Sequence, residues 1–410
     1  MDIELQAIGE ERRLPDWISA YMEYTEETEP PMLYHKWTGV VCISACLQRK
    51  CLVDYGDIPV YPNMYVVLVG PSATGKGIAM TFGQRLLQAL ALPIPGESIT
   101  KEKLIQFMSK HCQCNDIDDQ NFRHTHHSMT IFSKELAVFL GWENKDLMTW
   151  LTDWYDCDDN WSYQIKTGES NTVQGTFVNL FGATTPALVR TALPPDAIGG
   201  GFTSRIIFVY EDRKRKLVPF PIRTESMIKL REDLFHDLAR IKMLAGRFKA
   251  TDEFLVKFRI WYPEQHNDPP IKSQDFDGYN GRRHIHAIKL SMIVNASRCE
   301  RMELEVEDLD RAVSIIKATE KNMLKVFQAA GESVLASPMS KLKIELIRKK
   351  EINLQDAYVL LHKDVDSRQI ESILTSMQKA GLITITHVSK EPKAMADPRN
   401  TVIKLGQQLI

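Results

Sequence analysis

The residues between positions 70 and 77 are of a type and spacing that binds phosphate. Two glycines, Gly70 and Gly75, allow the backbone N–H groups of the loop to turn toward one anion. Lys76 follows, where its ammonium would reach the β and γ oxygens of a nucleoside triphosphate. The expected contact residues of this glycine loop are Gly70, Pro71, Ser72, Ala73, Thr74, Gly75, Lys76, Gly77 and Ile78.

The segments on either side of the glycine loop have the composition that a phosphate site needs. Met64–Val69 is a continuous run of apolar, mostly β-branched and aromatic residues, which predicts a strand buried on both faces. Ile78–Ala91 has the periodicity of a helix and is followed by Pro93. A strand, a glycine loop and a helix in this order would hold the anion at the positive end of the helix.

The glycine loop departs from its usual form at the last position, and a second departure follows. Gly77 stands where Ser or Thr normally provides a hydroxyl ligand to Mg²⁺. After a second predicted strand, Lys134 occupies the position of the Asp that holds the metal in P-loop ATPases. The next residue, Glu135, fits the glutamate that polarises the attacking water, although a glutamate after a strand also commonly opens a helix. The glycine loop and Glu135 make ATP and Mg²⁺ the expected cofactors. The departures at Gly77 and Lys134 put hydrolysis of ATP, though not its binding, in question.

Polar residues also lie next to the two other predicted strands. A hydroxyl at the carboxyl end of a central strand could contact the γ-phosphate or the attacking water, and Thr185 is the first candidate, with Thr184 beside it. A capped helix start is the alternative interpretation of these threonines. Arg205 ends a glycine-rich stretch, which suits an arginine that reaches a phosphate in a neighbouring subunit. A surface ion pair would also explain Arg205.

The 410 residues are too many for one compact domain, and a composition of 44% hydrophobic and 25% charged residues is that of a globular protein. The predicted fold class is α/β, with a parallel sheet covered by helices. Its strands are predicted at 64–69, 129–132, 177–181 and 206–210. A turn-rich connection is predicted at 54–63, and helices with short breaks at 226–328. The predicted domains are an acidic leader with a helical segment at 1–62, the core with the glycine loop at 63–220, a helical lid at 221–336 and a winged helix-turn-helix at 337–410.

Two segments carry residues that could contact nucleic acid. The C-terminal segment predicts three helices and a β-hairpin, and donors on the polar face of the third helix are Arg368, Gln369, Ser372 and Lys379. Such faces lie against phosphates or in a groove of DNA, although winged helices also dock on proteins. A second hairpin is predicted between 161 and 176, and Lys166 near its tip could follow a nucleic-acid backbone or simply lie on the surface.

Composition and charge argue against several other classes of protein. No apolar run reaches the roughly 20 residues of a membrane span, and the acidic N-terminus is unlike a signal peptide or a presequence. The seven cysteines are typical of free thiols, so a cytoplasmic protein is expected. Cys112 and Cys114, with the histidines at 124, 126 and 127, lack the spacing of a zinc site, and no such metal site is expected.

The order of these motifs resembles that of AAA+ P-loop ATPases with a hairpin before the third motif. It is most similar to minichromosome-maintenance-like replicative helicases encoded by phages and mobile elements, over roughly residues 33–410. The resemblance implies an AAA+ ATPase core, a helical lid and a C-terminal winged helix. It also implies ring oligomers, usually hexamers, in which hairpin lysines face the central channel.

The resemblance assigns roles to particular side chains. The implied catalytic residues are Lys76, Glu135, Thr185 and Arg205. Arg205 would act on the ATP bound by the next subunit. A further arginine commonly comes from the lid, and Arg282 and Arg283 are both candidates for it.

The expected function is ATP-dependent translocation along DNA by a replicative helicase of a phage or mobile element, acting as a ring without contact to membranes. A nucleotide-switched initiator or helicase loader with weak or no hydrolysis is the alternative, and Gly77 and Lys134 favour it. A second alternative is a defence or signalling ATPase whose winged helix docks a protein. In that case the acidic leader is a candidate partner site.

Overall fold

The computed structural model describes residues 11–97, 99–117, 123–141, 145–163, 171–193, 197–222, 224–328, 336–362, 364–387 and 398–406. The chain forms two compact units, Met1–Phe327 and Gln328–Ile410. The helices in chain order are α1 (Trp17–Tyr24), α2 (Met32–Leu47), α3 (Lys76–Ala89), α4 (Lys101–His111), α5 (Leu136–Leu140), α6 (Lys145–Asp156), α7 (Pro186–Ala192), α8 (Glu225–Ile241), α9 (Asp252–Asn267), α10 (Asp277–Arg298), α11 (Val306–Met323), α12 (Lys325–Gln328), α13 (Ala336–Lys349), α14 (Leu354–Leu361) and α15 (Ser367–Lys379). The strands are β1 (Cys51–Tyr55), β2 (Ile58–Val60), β3 (Tyr65–Val69), β4 (Gln113–Ile117), β5 (Arg123–Ser133), β6 (Asn160–Tyr163), β7 (Asn171–Gln174), β8 (Thr176–Thr184), β9 (Ile206–Tyr210), β10 (Gly246–Ala250), β11 (Glu303–Leu304), β12 (Glu351–Asn353), β13 (Ile383–His387) and β14 (Thr401–Leu405).

The main sheet of the first unit has five strands in the order β4-β5-β8-β3-β9. β5, β8, β3 and β9 run parallel, and β4 pairs antiparallel with β5. Every residue of β3, β8 and β9 is buried, as expected for strands covered on both faces; β3 and β9 are continuous apolar runs, whereas β8 also buries Asn179. The predicted α/β class and the four predicted strands of the parallel sheet are confirmed.

The register of this sheet brings the carboxyl ends of its strands to one edge. Val69 at the end of β3 lies opposite Thr184 of β8 and Tyr210 of β9. Ser133 at the end of β5 lies opposite Gly182 of β8. The segments that follow β3, β5, β8 and β9 therefore leave the sheet at the edge where ligands bind in open α/β sheets.

The helix α2 packs into the same core as the main sheet. It is buried along most of its length, so its sequence is apolar on nearly every side. Ser44 donates a hydrogen bond to Asn179 Oδ1 of β8 at 2.8 Å, and Trp37 Nε1 donates to Thr319 Oγ1 of α11 at 2.8 Å. The N-terminal helices, the main sheet and the helices α8 to α12 share one hydrophobic core.

A second sheet, in the order β11-β10-β1-β2, was not predicted. β1 and β2 form a hairpin around Gly56, which has a φ of 64°. β1 pairs in parallel with β10, where Cys51 lies opposite Gly246. The prediction of a turn-rich connection at 54–63 is thus wrong where the end of β1 and the whole of β2 lie. The prediction of helices alone at 226–328 is wrong for β10 and β11. Four short strands with polar residues give no continuous apolar run that would mark them.

The C-terminal unit contains α13, α14 and α15 and an antiparallel sheet in the order β12-β14-β13. Ile370 and Met377 of α15 belong to the core between these elements. A capping box opens α15: Asp366 Oδ1 accepts from the N–H of Gln369 at 2.9 Å, and Gln369 Oε1 accepts from the N–H of Asp366 at 3.0 Å. β12 is a strand of three residues that was not predicted.

In the parts of the chain described above, no helix combines the length and the apolar character needed to span a bilayer.

Two buried histidines make the stability of the first unit sensitive to acid. Burial lowers the pKa of His35 and of His286 to about 3, compared with 6.5 in an unfolded chain. Between these values the unfolded chain takes up protons that the folded chain does not, so stability is complete above pH 6.5 and falls as the pH falls. At about pH 5 we expect a loss of about 2 kcal/mol in the free energy of unfolding per histidine. Urea denaturation at about pH 7.5 and about pH 5 measures it.

The exposed His111 provides the control for this prediction. His111→Gln should leave the pH dependence unchanged, whereas His35→Gln should flatten it even if the variant is less stable at neutral pH. Equal unfolding free energies of the parent chain at the two pH values would contradict the expectation.

Candidate nucleotide-binding site

The glycine loop leaves the carboxyl end of β3 at the centre of the main sheet. Its first residue, Gly70, donates a backbone hydrogen bond to the carbonyl oxygen of Thr184, the last residue of β8. Lys76 is the first residue of α3, and Gly75 before it has a φ of 90°, a conformation that favours glycine. The loop therefore turns the chain directly from a buried strand into the N-terminus of a helix.

The ammonium of Lys76 is held by the glycine loop itself. Its Nζ donates to the carbonyl oxygens of Gly70 and Pro71 at 2.7 and 2.8 Å, and lies 3.3 Å from Thr74 Oγ1. Burial lowers the pKa of Lys76, and the nearby carboxylate of Glu135 opposes this shift. A bound phosphate would offer charged oxygens in place of neutral carbonyls, and hydrogen bonds to charged groups are the stronger ones.

Gly70 has no room for a side chain. A Cβ atom there would lie 2.3 Å from the carbonyl oxygen of Glu211 and 2.6 Å from Tyr34 Oη, which donates to the carbonyl oxygen of Val69 at 2.7 Å. We expect Gly70→Ala to displace the loop and to lower the free energy of unfolding by about 1–3 kcal/mol. Urea denaturation measures this change. Gly96→Ala is the control, because a Cβ atom at Gly96 meets nothing within 4 Å; equal stability of the two variants would argue against crowding at Gly70.

A cavity of about 870 Å³ opens beside the glycine loop. This volume is within the range of small-molecule sites. The loop lines it with Ser72, Ala73 and residues 75–78, and the segments after β5 and β8 add Glu135 and Thr185. The structure thus brings together Lys76, Glu135 and Thr185, which are more than 100 positions apart at the extremes of the sequence.

Other lining residues were missed by sequence analysis. Thr81, Phe82 and Arg85 share a face of α3 with Ile78, because residues three, four and seven positions apart lie on one side of a helix. That spacing could have identified them. Lys214 comes from the basic run after β9, and no local pattern connects this run with the loop.

The cavity carries an excess of positive charge. Among the described residues, the acidic lining residue is Glu135, and the basic lining residues are Lys76, Arg85, Lys134 and Lys214. Low-dielectric walls with charges of one sign concentrate ligands of the opposite sign. The lining residues therefore fit a polyanion, and the amides and lysine of the glycine loop fit the phosphates of a nucleoside triphosphate.

The two threonines after β8 differ in their surroundings. Thr184 is buried, and its Oγ1 lies 3.4 Å from the carbonyl oxygen of Thr185. Thr185 is partly exposed and precedes α7 as its N-cap residue, but its side chain makes no capping hydrogen bond. The Thr185 hydroxyl is therefore not used to cap the helix.

The side chains that usually hold magnesium at such a loop are absent from two positions of the cavity. Gly77 has no hydroxyl to offer, and a Cβ atom there would lie 3.6 Å from Cδ and 3.9 Å from Cγ of Lys134. These are ordinary van der Waals distances, so the methylene groups of Lys134 lie beside Gly77. The ranges described contain no group of three His, Cys, Asp or Glu side chains that could hold a metal ion. Mg²⁺ prefers carboxylate and hydroxyl oxygens in octahedral geometry, and the described lining offers the carboxylate of Glu135 and hydroxyls at Ser72, Thr81, Thr184 and Thr185, but none at the two usual positions 77 and 134.

The three candidate arginines do not line the cavity. Arg205 is buried; it donates through Nε to Asp156 Oδ1 at 3.2 Å and through Nη1 to the carbonyl oxygen of Gly201 at 2.6 Å. Arg282 is partly exposed and lies 3.7 Å from the same Asp156 Oδ1. Arg283 is buried in an ion pair with Glu320 at 2.5 Å. Within the single chain, Arg205 and Arg282 thus share one carboxylate and Arg283 belongs to the core.

A second, smaller cavity adjoins the first. Its volume is about 310 Å³, and it shares Phe82 and Arg85 with the larger cavity. Tyr24, Leu86 and Met227 add apolar surface. Glu27, Arg85 and Arg231 also line this cavity, so apolar and charged side chains face the same space.

The acidic residues before α2 are paired with the basic run after β9. Glu29 pairs with Lys214, and Glu27 Oε2 lies 2.6 Å from Lys216 Nζ. The backbone N–H of Arg215 donates to the carbonyl oxygen of Glu29 at 3.0 Å. This part of the acidic leader, proposed above as a partner site, therefore has basic partners within its own chain.

Only some of the residues predicted to contact DNA have exposed and uncommitted side chains among those that the structure describes. Arg368, Ser372 and Lys379 are exposed on α15, whereas the side-chain oxygen of Gln369 is occupied by the capping box. The strands β6 and β7 confirm the predicted hairpin between 161 and 176. Lys166 lies outside the described residues.

The sequence gives no significant match to a protein-family profile or to a curated protein.

Proposed function

We propose that this chain is an ATP-binding protein of the AAA+ P-loop type that acts on DNA as a ring-forming replicative helicase. The observation that carries the proposal is the convergence of Lys76, Glu135 and Thr185 on one basic cavity at the carboxyl edge of a parallel sheet. Ligand sites of open α/β sheets lie at this edge. The order of motifs along the chain supports the assignment to the AAA+ type.

ATP would be held in the larger cavity by the glycine loop, and the smaller cavity would hold its base. Lys76 and the loop amides bind the phosphates, and when bound the γ-phosphate is the group transferred to water. Glu135, an exposed residue of the lining, would orient that water, and Thr185 would donate from its hydroxyl. Arg85 lines both cavities and neutralises charge between them.

The C-terminal unit would be the winged helix that contacts DNA. Its three helices and antiparallel sheet support this, as does the exposed row of Arg368, Ser372 and Lys379 on α15. In the ring, Arg205 would reach the ATP of a neighbouring copy. For this it would exchange Asp156 for phosphate oxygens, and Arg282 stands close enough to keep Asp156 paired.

The proposal is tested by ATP hydrolysis and by unwinding of a forked DNA. We expect hydrolysis that forked or single-stranded DNA stimulates, strand separation that requires ATP, and a ring in electron micrographs of the chain with a non-hydrolysable ATP analogue. A monomer that ignores ATP at millimolar concentration would overturn the proposal.

A nucleotide-switched initiator or loader is the second candidate, and the contact between Gly77 and Lys134 favours it. A site without ligands for Mg²⁺ lacks a standard contributor to phosphoryl transfer. ATP binding with DNA-independent turnover below about one per hour would point to the switch, since slow intrinsic NTPases turn over at about this rate.

Contact of α15 with DNA predicts a loss of affinity with a defined salt dependence. Arg368→Ala combined with Lys379→Ala should weaken DNA binding about tenfold and reduce the slope of log K against log salt by about 2, because two phosphate contacts are removed. Fluorescence anisotropy over a salt series measures both. Lys272→Ala with Arg301→Ala removes the same charge from exposed positions elsewhere and should change neither.

A further inference from the structure

The two departures from the magnesium-binding pattern are in contact with each other. Gly77 is the second residue of α3, and Lys134 follows β5, 57 positions later in the sequence. A Cβ atom on Gly77 would be in van der Waals contact with two methylene carbons of Lys134, at 3.6 and 3.9 Å. The side chain of Lys134 thus lies along the surface that the glycine leaves open.

The ammonium of Lys134 is kept at this wall of the cavity. Its Nζ lies 2.8 Å from Glu97 Oε1, and about a third of the Lys134 side chain is exposed. Glu97 does not line the cavity, whereas Lys134 does. The carboxylate of Glu97 therefore holds the ammonium in place and offsets part of its charge.

The charges of the cavity are consistent with a cation supplied by the protein. The described lining has four positive side chains and the one negative side chain of Glu135; the positive ones are Lys76, Arg85, Lys134 and Lys214. A divalent cation next to the Lys134 ammonium would be repelled, because like charges at short range disfavour each other. An ammonium can donate three hydrogen bonds to phosphate oxygens without fixed coordination geometry.

We infer that Lys134 takes the place of the divalent cation, so that this cavity binds a nucleoside triphosphate free of metal. The inference rests on the proposed function, because it concerns the same cavity. The methylene groups of Lys134 cover Gly77, and its ammonium contacts the phosphate oxygens that Mg²⁺ would otherwise contact. A Cβ atom at position 77 would meet these methylene groups at ordinary van der Waals distance, so the side chain of Lys134 packs directly beside the glycine.

Calorimetric titration of the full chain with ATP, in EDTA and in excess Mg²⁺, tests the inference. We expect the Kd in EDTA to be within about threefold of the Kd with Mg²⁺. Lys134→Met keeps the methylene groups over Gly77 and removes the charge, and should weaken binding in EDTA about tenfold or more. Lys134→Arg should retain most of the affinity. The double variant Gly77→Ser with Lys134→Asp restores the usual ligands and should bind ATP only with Mg²⁺.

The outcomes separate this inference from the proposed function. Binding of ATP by the parent chain only in the presence of Mg²⁺ would overturn the inference and leave the proposed function intact. Failure to bind ATP under either condition would overturn both. If Lys134→Met does not fold, ATP binding in EDTA by the parent chain and by Lys134→Arg still tests the inference. Both proteins keep a positive charge at position 134, so both should bind ATP without metal.

Discussion

Replacing Lys76 by alanine is expected to raise the Kd for ATP about 100-fold and to reduce ATP turnover to background. The Lys76 ammonium is fixed at the glycine loop by the carbonyl oxygens of Gly70 and Pro71, directly where the phosphates of a nucleotide would lie. Its removal takes away a charge-assisted hydrogen bond at the centre of the site. Calorimetric titration with ATP and a phosphate-release assay measure the two effects.

The fold should survive the Lys76→Ala substitution. The side chain is partly exposed and its partners are carbonyl oxygens of the loop, which water can satisfy. The free energy of unfolding should change by less than about 1 kcal/mol. Lys103→Ala is the matched control, since Lys103 is exposed on α4 outside the cavity. Wild-type affinity for ATP in Lys76→Ala would show that the loop does not bind phosphate.

The glycine loop and its position could be predicted because they depend on local patterns. The apolar run before Gly70 is buried on both faces, and the glycines stand where the backbone turns, so composition and conformation agree. The convergence of Lys76, Glu135 and Thr185 follows from the rule that parallel strands present their carboxyl ends at one edge. To predict that these three residues lie together, only the strands had to be identified correctly.

The second sheet could not be predicted because its pairing is not local. β1 and β10 are parallel neighbours although Cys51 and Gly246 are 195 positions apart in the sequence. Each strand is short and interrupted by charged residues, as at Arg247 and Lys249, and tertiary contacts rather than propensity decide its conformation. The turn at Gly56 was recognised, but its flanking strands were too short to be distinguished from loops.

The same limit applies to the side chains that complete the cavity. Lys214 is brought to the site by its pairing with Glu29, a residue on a different segment that precedes α2. Arg205 was predicted from its glycine-rich context, yet in the single chain that context supplies the carbonyl oxygen of Gly201 as an acceptor. Sequence motifs identified the residue types, whereas the partners depended on the fold.

The choice between Arg282 and Arg283 leads to the second large effect, which is on stability. Arg283→Ala is expected to lower the free energy of unfolding by about 3–5 kcal/mol, because it leaves the Glu320 carboxylate buried without its partner. Arg283 contacts both oxygens of Glu320, at 2.5 and 2.9 Å, and Tyr279 Oη donates to the same carboxylate at 3.0 Å. This network joins α10 to α11. Urea denaturation of the variant measures the loss.

Two comparisons show whether the charge or the packing of Arg283 matters. Arg283→Met combined with Glu320→Met removes both charges while keeping apolar volume, and should recover part of the lost stability, since a buried pair replaced by apolar groups is often neutral, whereas the buried Tyr279 Oη loses its acceptor. Arg282→Ala, at a partly exposed position 3.7 Å from Asp156, should change stability by less than about 1 kcal/mol. If Arg282 is the lid arginine, this variant loses ATP turnover while it stays folded. If Arg283→Ala is as stable as the parent chain, Arg283 is again a candidate for the lid arginine that contacts ATP, because the core would then not require its side chain.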